Sequence, residues 1–350
     1  MADDSALRLI DDVAANRARR RRRLAGANVA GYRFAMALRR RQLLLGLSAA
    51  SVALACDPRG AAPAVHTASR TRSARALRAV VPGIHHVDGA GVKLFKQLGH
   101  RALPLLDPFL MLDRFRSNVV DEFARGFPDH PHRGFETVSI VLDGHVRHGD
   151  SVGNRGDIAG GGLQWMTAGR GIIHQEMLAA SAETGWLSGY QLWTNLPAAH
   201  KMKAPRYQDL TASAVPSTSV ADARVRVLAG QVGATRGPVD GVFVRPTLLD
   251  VSLDAGARFV CDVDAGHNAF CVVVDGAIDV GGAVVHGDAL GVFDRGDVVD
   301  VHAARASRLL LFAAAPIGEP VARRGPFVMN TDAELDDAVA DYRAGRLLDG

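Results

Sequence analysis

The sequence predicts an all-β protein of two barrel or sandwich units, closed by one short helix. Three observations predict it. Short Val-rich runs recur every several residues with Gly and Asp between them, as strands do when they bury a face and then turn. These runs fall in two blocks of similar length, 80–197 and 224–350, with a polar, proline-containing connection at 198–223. The chain is 48% hydrophobic but only 6% aromatic, so aliphatic side chains must fill the cores, and 350 residues suffice for two of them.

Residues 1–79 read as an extension. Much of the excess charge sits here, in Arg17 to Arg23 (broken only by Ala18), Arg39 to Arg41, Arg70, Arg72, Arg75 and Arg78. The net charge of +4 therefore describes the extension, and no nucleic-acid binding is expected of the near-neutral body. Within the extension, 36–56 has the layout of an export signal: Arg39, Arg40 and Arg41, an apolar run over 43–55, and small residues at Ala53 and Ala55. Paired arginines ahead of Leu-Leu resemble a twin-arginine signal, which carries folded, cofactor-loaded proteins. The expected location is periplasmic or otherwise exported, with Met36 as the start. A basic tail on a cytoplasmic protein is the alternative. The apolar run is shorter than the roughly 20 residues of a spanning helix, so no transmembrane helix is expected in the mature chain. Cys56, directly after Leu54-Ala55, is a lipid-anchor site on the lipoprotein reading. Residues 57–79, rich in Pro, Ala, Ser and Arg, read as a linker.

The first block offers strands at 92–96, 107–112, 137–142, 164–167, 171–177 and 191–194, and Asn195-Leu196-Pro197 ends it. The second offers 225–228, 270–274, 277–280 and 309–313, punctuated by Asp275-Gly276, Gly281-Gly282 and Arg295-Gly296-Asp297. The period then changes. Leu335, Val339 and Tyr342 fall at helical spacing after Thr331 or Asp332 as N-cap, a closing helix within 331–348. Cys261 and Cys271 form no CxxC and lie in apolar runs, so buried free thiols are expected, with a disulfide as the oxidising-compartment alternative.

Two short motifs carry the chemistry. One is Asp129-His130-Pro131-His132-Arg133-Gly134-Phe135-Glu136; the other is Gly171-Ile172-Ile173-His174-Gln175-Glu176-Met177. In extended chain, residues i and i+2 share a face. His130 with His132, and His174 with Glu176, can therefore bring three imidazoles and one carboxylate into one barrel. Pro131 removes a ladder donor and fits an edge strand. Imidazole plus carboxylate suits iron, manganese, nickel, copper or zinc, and the lack of cysteine argues against a thiolate-rich structural zinc site. Four ligands leave two positions of an octahedral ion for water, dioxygen or a bidentate substrate. Glu136, four residues after His132, is expected to orient a histidine through its free N–H, with metal ligation as the alternative. His145 and His148, after a glycine turn, are expected in an exposed loop, and Trp165 and Met166 in the core or pocket wall. Gly160-Gly161-Gly162 reads as a tight turn.

These residues resemble the pirin family of the cupin superfamily. The resemblance is carried by Asp107-Pro108-Phe109-Leu110, by 129–138, by 163–172, by His174-Gln175-Glu176-Met177, by Gln191-Leu192-Trp193 and by 325–331. It spans the chain from Val80 onward. It implies a bicupin, two cupin-type jelly-roll barrels, with one Fe2+ in the first held by the residues His130, His132, His174 and Glu176. Other divalent transition metals are alternatives. By the same resemblance Glu136 is not a ligand and the second barrel, where His267, His286 and His302 stand singly, holds no metal. Several pirins oxidise flavonols such as quercetin with O2; others are protein-binding regulators, including a nuclear, redox-sensitive transcriptional cofactor in animals. The expected function is a quercetin 2,3-dioxygenase type reaction in a monomer, with Glu176 also the catalytic base. The alternative is a metal-dependent regulatory protein without turnover. The chain departs from the family where Gly160-Gly161-Gly162 stands in place of the usual Pro-Gly-Asp.

Overall fold

The computed structural model describes residues 72–349; the export-signal-like segment 36–56, with Cys56, lies outside the described residues. No described helix is long and apolar enough to cross a membrane.

Twelve strands open the fold: β1 (Leu77–Pro82), β2 (Ile84–Asp88), β3 (Val92–Leu98), β4 (Phe109–Ser117), β5 (Phe127–His132) and β6 (Phe135–Asp143), then β7 (His145–Asp150), β8 (Arg155–Ala159), β9 (Leu163–Thr167), β10 (Ile172–Ala179), β11 (Leu187–Asn195) and β12 (Arg206–Leu210). The first barrel pairs a seven-stranded sheet, in the order β12-β9-β6-β11-β4-β3-β2, with a four-stranded sheet, β5-β10-β7-β8. Val92, Phe115 and Val141 of the larger sheet meet Val146, Ile158 and Leu178 of the smaller one in a buried cluster. Period-two burial on β10 turns His174, Glu176 and Leu178 inward and leaves Met177 outside. β5 is an edge strand, so Pro131 costs no ladder bond on its free side.

The second barrel repeats the plan, with one exchange. Its seven-stranded sheet takes β1 as its edge strand, paired with Ala289–Phe293, so residues read as the end of a linker and the start of the first block are anchored in the second barrel. Arg75 reinforces this. It is buried, and its guanidinium donates to the carbonyls of Gly296, Asp294, His267 and Asp264 at 2.6–3.1 Å. The connection over 198–223 is also more ordered than its composition suggests. β12 extends the first barrel's sheet and Ser217–Val220 the second's.

The two seven-stranded sheets share one apolar core. Phe109, Val138, Trp165 and Leu192 of the first barrel are buried with Phe270, Leu290, Leu310 and Phe312 of the second, and Phe109 meets Phe270 edge-on at 5.0 Å. Cys261 and Cys271 are buried and free in the second barrel's own core, where burial raises their thiol pKa to about 11 and about 12.

The chain's end returns to the first barrel. A hairpin, Ala322–Arg324 with Phe327–Met329, places Val328 against Leu110, Met111, Phe135 and Trp193. Helix α1 (Asp332–Arg343) follows, capped by Thr331 in a reciprocal box with Glu334, and buries Leu335, Ala338 and Val339. Thr331, not Asp332, is thus the N-cap.

Candidate metal centre

Antiparallel pairing of β5 with β10 sets His174 opposite His130 and Ile172 opposite His132. The two motifs thereby become neighbours. One ring nitrogen from each of His130, His132 and His174 lies within 4.8 Å of the others. Ring centroids stand 4.7 Å apart for His130 and His132, 4.4 Å for His130 and His174, and 5.0 Å for His132 and His174.

Burial pushes the imidazoles of His132 and His174 well below the ordinary histidine value, and the neighbouring histidines add to it. Both rings are neutral near pH 7, each with a lone pair to place. His130 Nδ1 sits 2.8 Å from the Pro128 carbonyl, and His132 Nδ1 3.4 Å from the Pro326 carbonyl. A carbonyl only accepts, so both Nδ1 atoms carry the hydrogen and each Nε2 is left as a free donor of electrons. His174 is fully buried, with no partner on either nitrogen among the described residues. Lone pairs converging in a dry site are costly unless a cation accepts them, and three imidazoles fit a divalent transition metal.

Glu176 stands outside the 4.8 Å group of histidines. Its carboxylate lines the same cavity and is held from behind: Gln191 Nε2 donates to Oε1 and Oε2 at 3.2 and 3.0 Å, and Ser139 Oγ lies 3.1 Å from Oε1. Ser139 is also 2.7 Å from Gln191 Oε1, so its single hydrogen is shared between two acceptors. Ser139 and Gln191 are direct cross-strand partners on β6 and β11. The sequence signal for Gln191 is its i, i+2 spacing from Trp193 on one strand; Ser139 gives none.

Two expectations need correction. Glu136 orients no histidine; backbone carbonyls of Pro128 and Pro326 do that. Its own carboxyl is fully buried and accepts from Thr167 Oγ1 at 2.7 Å and Thr194 Oγ1 at 3.5 Å. His148 is not an exposed loop residue. It lies on β7, turned inward opposite Glu176, buried, with Nε2 2.9 Å from Asp209 Oδ2. His145 is on the same strand, half-buried against Asp157. The glycine turn before them starts a strand at once, and strand period decides which ring goes inside. Trp165 and Met166 are fully buried, as expected.

Burial raises the Glu136 carboxyl from 4.5 to about 7 against the pull of the Thr167 hydroxyl. A folded-state pKa above the unfolded one gives a contribution that is complete below 4.5 and is lost as pH rises through 7. The loss is on the order of 3 kcal/mol. Glu136→Gln is expected to remove it, so the stability gap between the two proteins should shift by that amount between about pH 5 and about pH 8 in urea unfolding. A gap independent of pH would refute this.

The chain's end completes the site. Lys201 is buried and donates to the carbonyls of Gly134 and Val328 at 2.6 and 3.0 Å and to Asn195 Oδ1 at 2.6 Å. Arg133 donates to the carbonyl of Arg170, to Asp341 Oδ2 at 2.8 Å and to the carbonyl of Leu347 at 3.2 Å. These bonds fix the segment carrying Pro326 beside His132. Above the histidines opens a cavity of about 360 Å³, walled by Leu94, Phe115, Phe127, Leu178 and Trp193.

Comparison with known proteins agrees with this architecture. Residues 91–194 match the Pirin family and residues 248–348 the Pirin C-terminal cupin domain. A pirin-like protein of Caulobacter vibrioides is 44% identical over 276 residues, which is 78% of this chain and 99% of that one. Human pirin is 38% identical over 265 residues, 73% of this chain and 88% of its own. The crystal structure of a quercetin 2,3-dioxygenase from Acinetobacter baumannii superposes with a TM-score of 0.72 at 31% identity, covering 79% of this chain and 99% of that one. On these matches, and on the paired barrels with their histidine cluster, the chain belongs to the pirin family.

Proposed function

We propose that the protein is an iron-dependent dioxygenase of the quercetin 2,3-dioxygenase type, which cleaves a flavonol-like aromatic with O2. The observation that carries it is the converging group of three imidazoles, with His174 buried and unpartnered among the described residues, at the foot of a small-molecule cavity that also holds a carboxylate. The dioxygenase from Acinetobacter baumannii, 31% identical, supports the reaction class.

His130, His132 and His174 would hold the ion, with Glu176 as the fourth ligand when its side chain turns from Gln191. Bound there, the ion supplies Lewis acidity and an electron route to dioxygen. The chain's own residues do the rest. About 360 Å³ lies within the range of roughly 300–1,000 Å³ for small-molecule sites. Phe127, Phe115, Leu94 and Trp193 give the cavity apolar walls that favour a planar aromatic and exclude water. Glu176, held by Gln191 and Ser139, is placed to take a proton from a substrate hydroxyl at a carboxylate oxygen.

The test is metal analysis and oxygen uptake by the purified protein against a panel of flavonols. One ion per chain and consumption of O2 matched to loss of flavonol are expected. Glu176→Gln should lower kcat by about 10² or more, the usual range for a lost general base. Bound metal without oxygen uptake would overturn the catalytic reading and favour a metal-dependent binding protein.

A further inference from the structure

Among the residues that line the metal cavity, one carries a positive charge. The acidic ones are Asp88, Asp113, Asp129 and Glu176; the cation is Arg323. It comes from the returning hairpin, on the strand Ala322–Arg324. Neighbouring residues of a strand point to opposite sides. Arg324 turns away to Asp336, 2.5 Å from its Oδ1, while Arg323 is exposed at the cavity rim.

What holds Arg323 is not a carboxylate. Its guanidinium lies over the Trp193 ring, 4.6 Å from the centroid, and one Nη2–H points to Met111 Sδ at 3.8 Å. Asp113 and Asp88 attract it through space without a hydrogen bond, their carboxylates being engaged elsewhere. Asp113 is bound by Lys96 at 2.8 and 2.9 Å, and Asp88 lies 3.5 Å from His86. A guanidinium has five N–H donors in a rigid fork, and among the described residues a thioether is the one acceptor that any of them meets. Stacking on an indole fixes the plane of the fork and leaves its edge free, which suits a planar two-oxygen anion. The same Trp193 ring meets His132 edge-on at 5.2 Å. The fork is therefore one aromatic ring away from the metal ligand.

We infer that Arg323 is a specificity-determining residue: it selects an aromatic ligand that bears a carboxylate on the end remote from the metal. This rests on the reading of the cavity as the aromatic-substrate site, and it narrows the substrate class to aromatic acids. The ring would lie along the apolar wall beside Trp193, with its carboxylate taken by the fork in two parallel hydrogen bonds.

Binding, without turnover, tests this. The full chain, with the metal it purifies with, is titrated under argon by calorimetry with flavone-4′-carboxylate and flavone-4′-carboxamide. These probes share a shape and differ in charge. Wild type should prefer the carboxylate by about tenfold, the factor expected of charge-assisted hydrogen bonds. Arg323→Gln should abolish that preference while its metal content and carboxamide affinity stay unchanged, and Arg323→Lys should keep part of it. No preference in wild type, an undiminished preference in Arg323→Gln, or loss of metal from that variant would each overturn the assignment. Carboxylate preference in a protein that takes up no oxygen would uphold it and reject the catalytic reading instead.

Discussion

Replacing His174 by Ala is expected to empty the metal site, lowering affinity by more than about 100-fold, beyond what loss of a supporting contact costs. The reason lies in what surrounds the ring. His174 is fully buried on a central strand of the smaller sheet, and among the described residues neither of its nitrogens has a partner. Its place opposite His130 is set by backbone register, so no neighbour can swing in to replace it. In the metal-free protein the same change should cost less than an ordinary large-to-small substitution, because it also removes two unpaired buried nitrogens. The check is metal content by elemental analysis after dialysis, for wild type, His174→Ala and Gln175→Ala. Gln175 is the adjacent, half-buried residue on the outer face of the same strand. Equal occupancy in His174→Ala and wild type would show that the ion is held elsewhere.

The clustering of His130, His132 and His174 is legible in the sequence because strand geometry makes it so. An i, i+2 pair of histidines and an i, i+2 His–Glu pair each commit to one face, and a proline marks β5 as an edge. What could not be read is of three kinds. Some partners are backbone atoms: the carbonyls of Pro128 and Pro326 that orient His130 and His132 have no side-chain signature. Others depend on long-range exchange. β1 leaves for the second barrel and Val328 returns to the first, so Arg323 and Pro326 reach a cavity more than a hundred residues upstream. His148 shows a third limit. Polar residues after a glycine turn read as a loop, yet the strand starts at once and the ring points inward to Asp209. Glu136 stands four residues after His132 in sequence, yet its side chain is committed to Thr167 and Thr194.

The turn after His132 links fold and site most tightly, and Gly134→Ala is the substitution expected to break both. Gly134 sits between β5 and β6 with φ +88°, a region that costs an L-residue roughly 1–2 kcal/mol. A Cβ there would overlap the Val328 carbonyl oxygen and stand 2.8 Å from Met329 Sδ. The obstacle is backbone, fixed by Lys201, which also binds the Gly134 carbonyl, and by burial of Val328 with Phe135. Relief therefore requires moving the returning segment, at a further cost of about 1–3 kcal/mol for overpacking. Together these give roughly 2–5 kcal/mol of lost stability. The displaced segment carries Pro326, so His132 loses the carbonyl that orients it, and metal affinity should fall by about 10- to 100-fold. Gly153→Ala separates strain from clash: φ there is +97°, but nothing lies within 4 Å of the added carbon. That variant should lose only the roughly 1–2 kcal/mol of backbone strain and keep its metal. Urea unfolding and metal titration of the two variants side by side decide the matter. Equal losses in both would mean that the returning segment yields freely and has no part in holding the histidines.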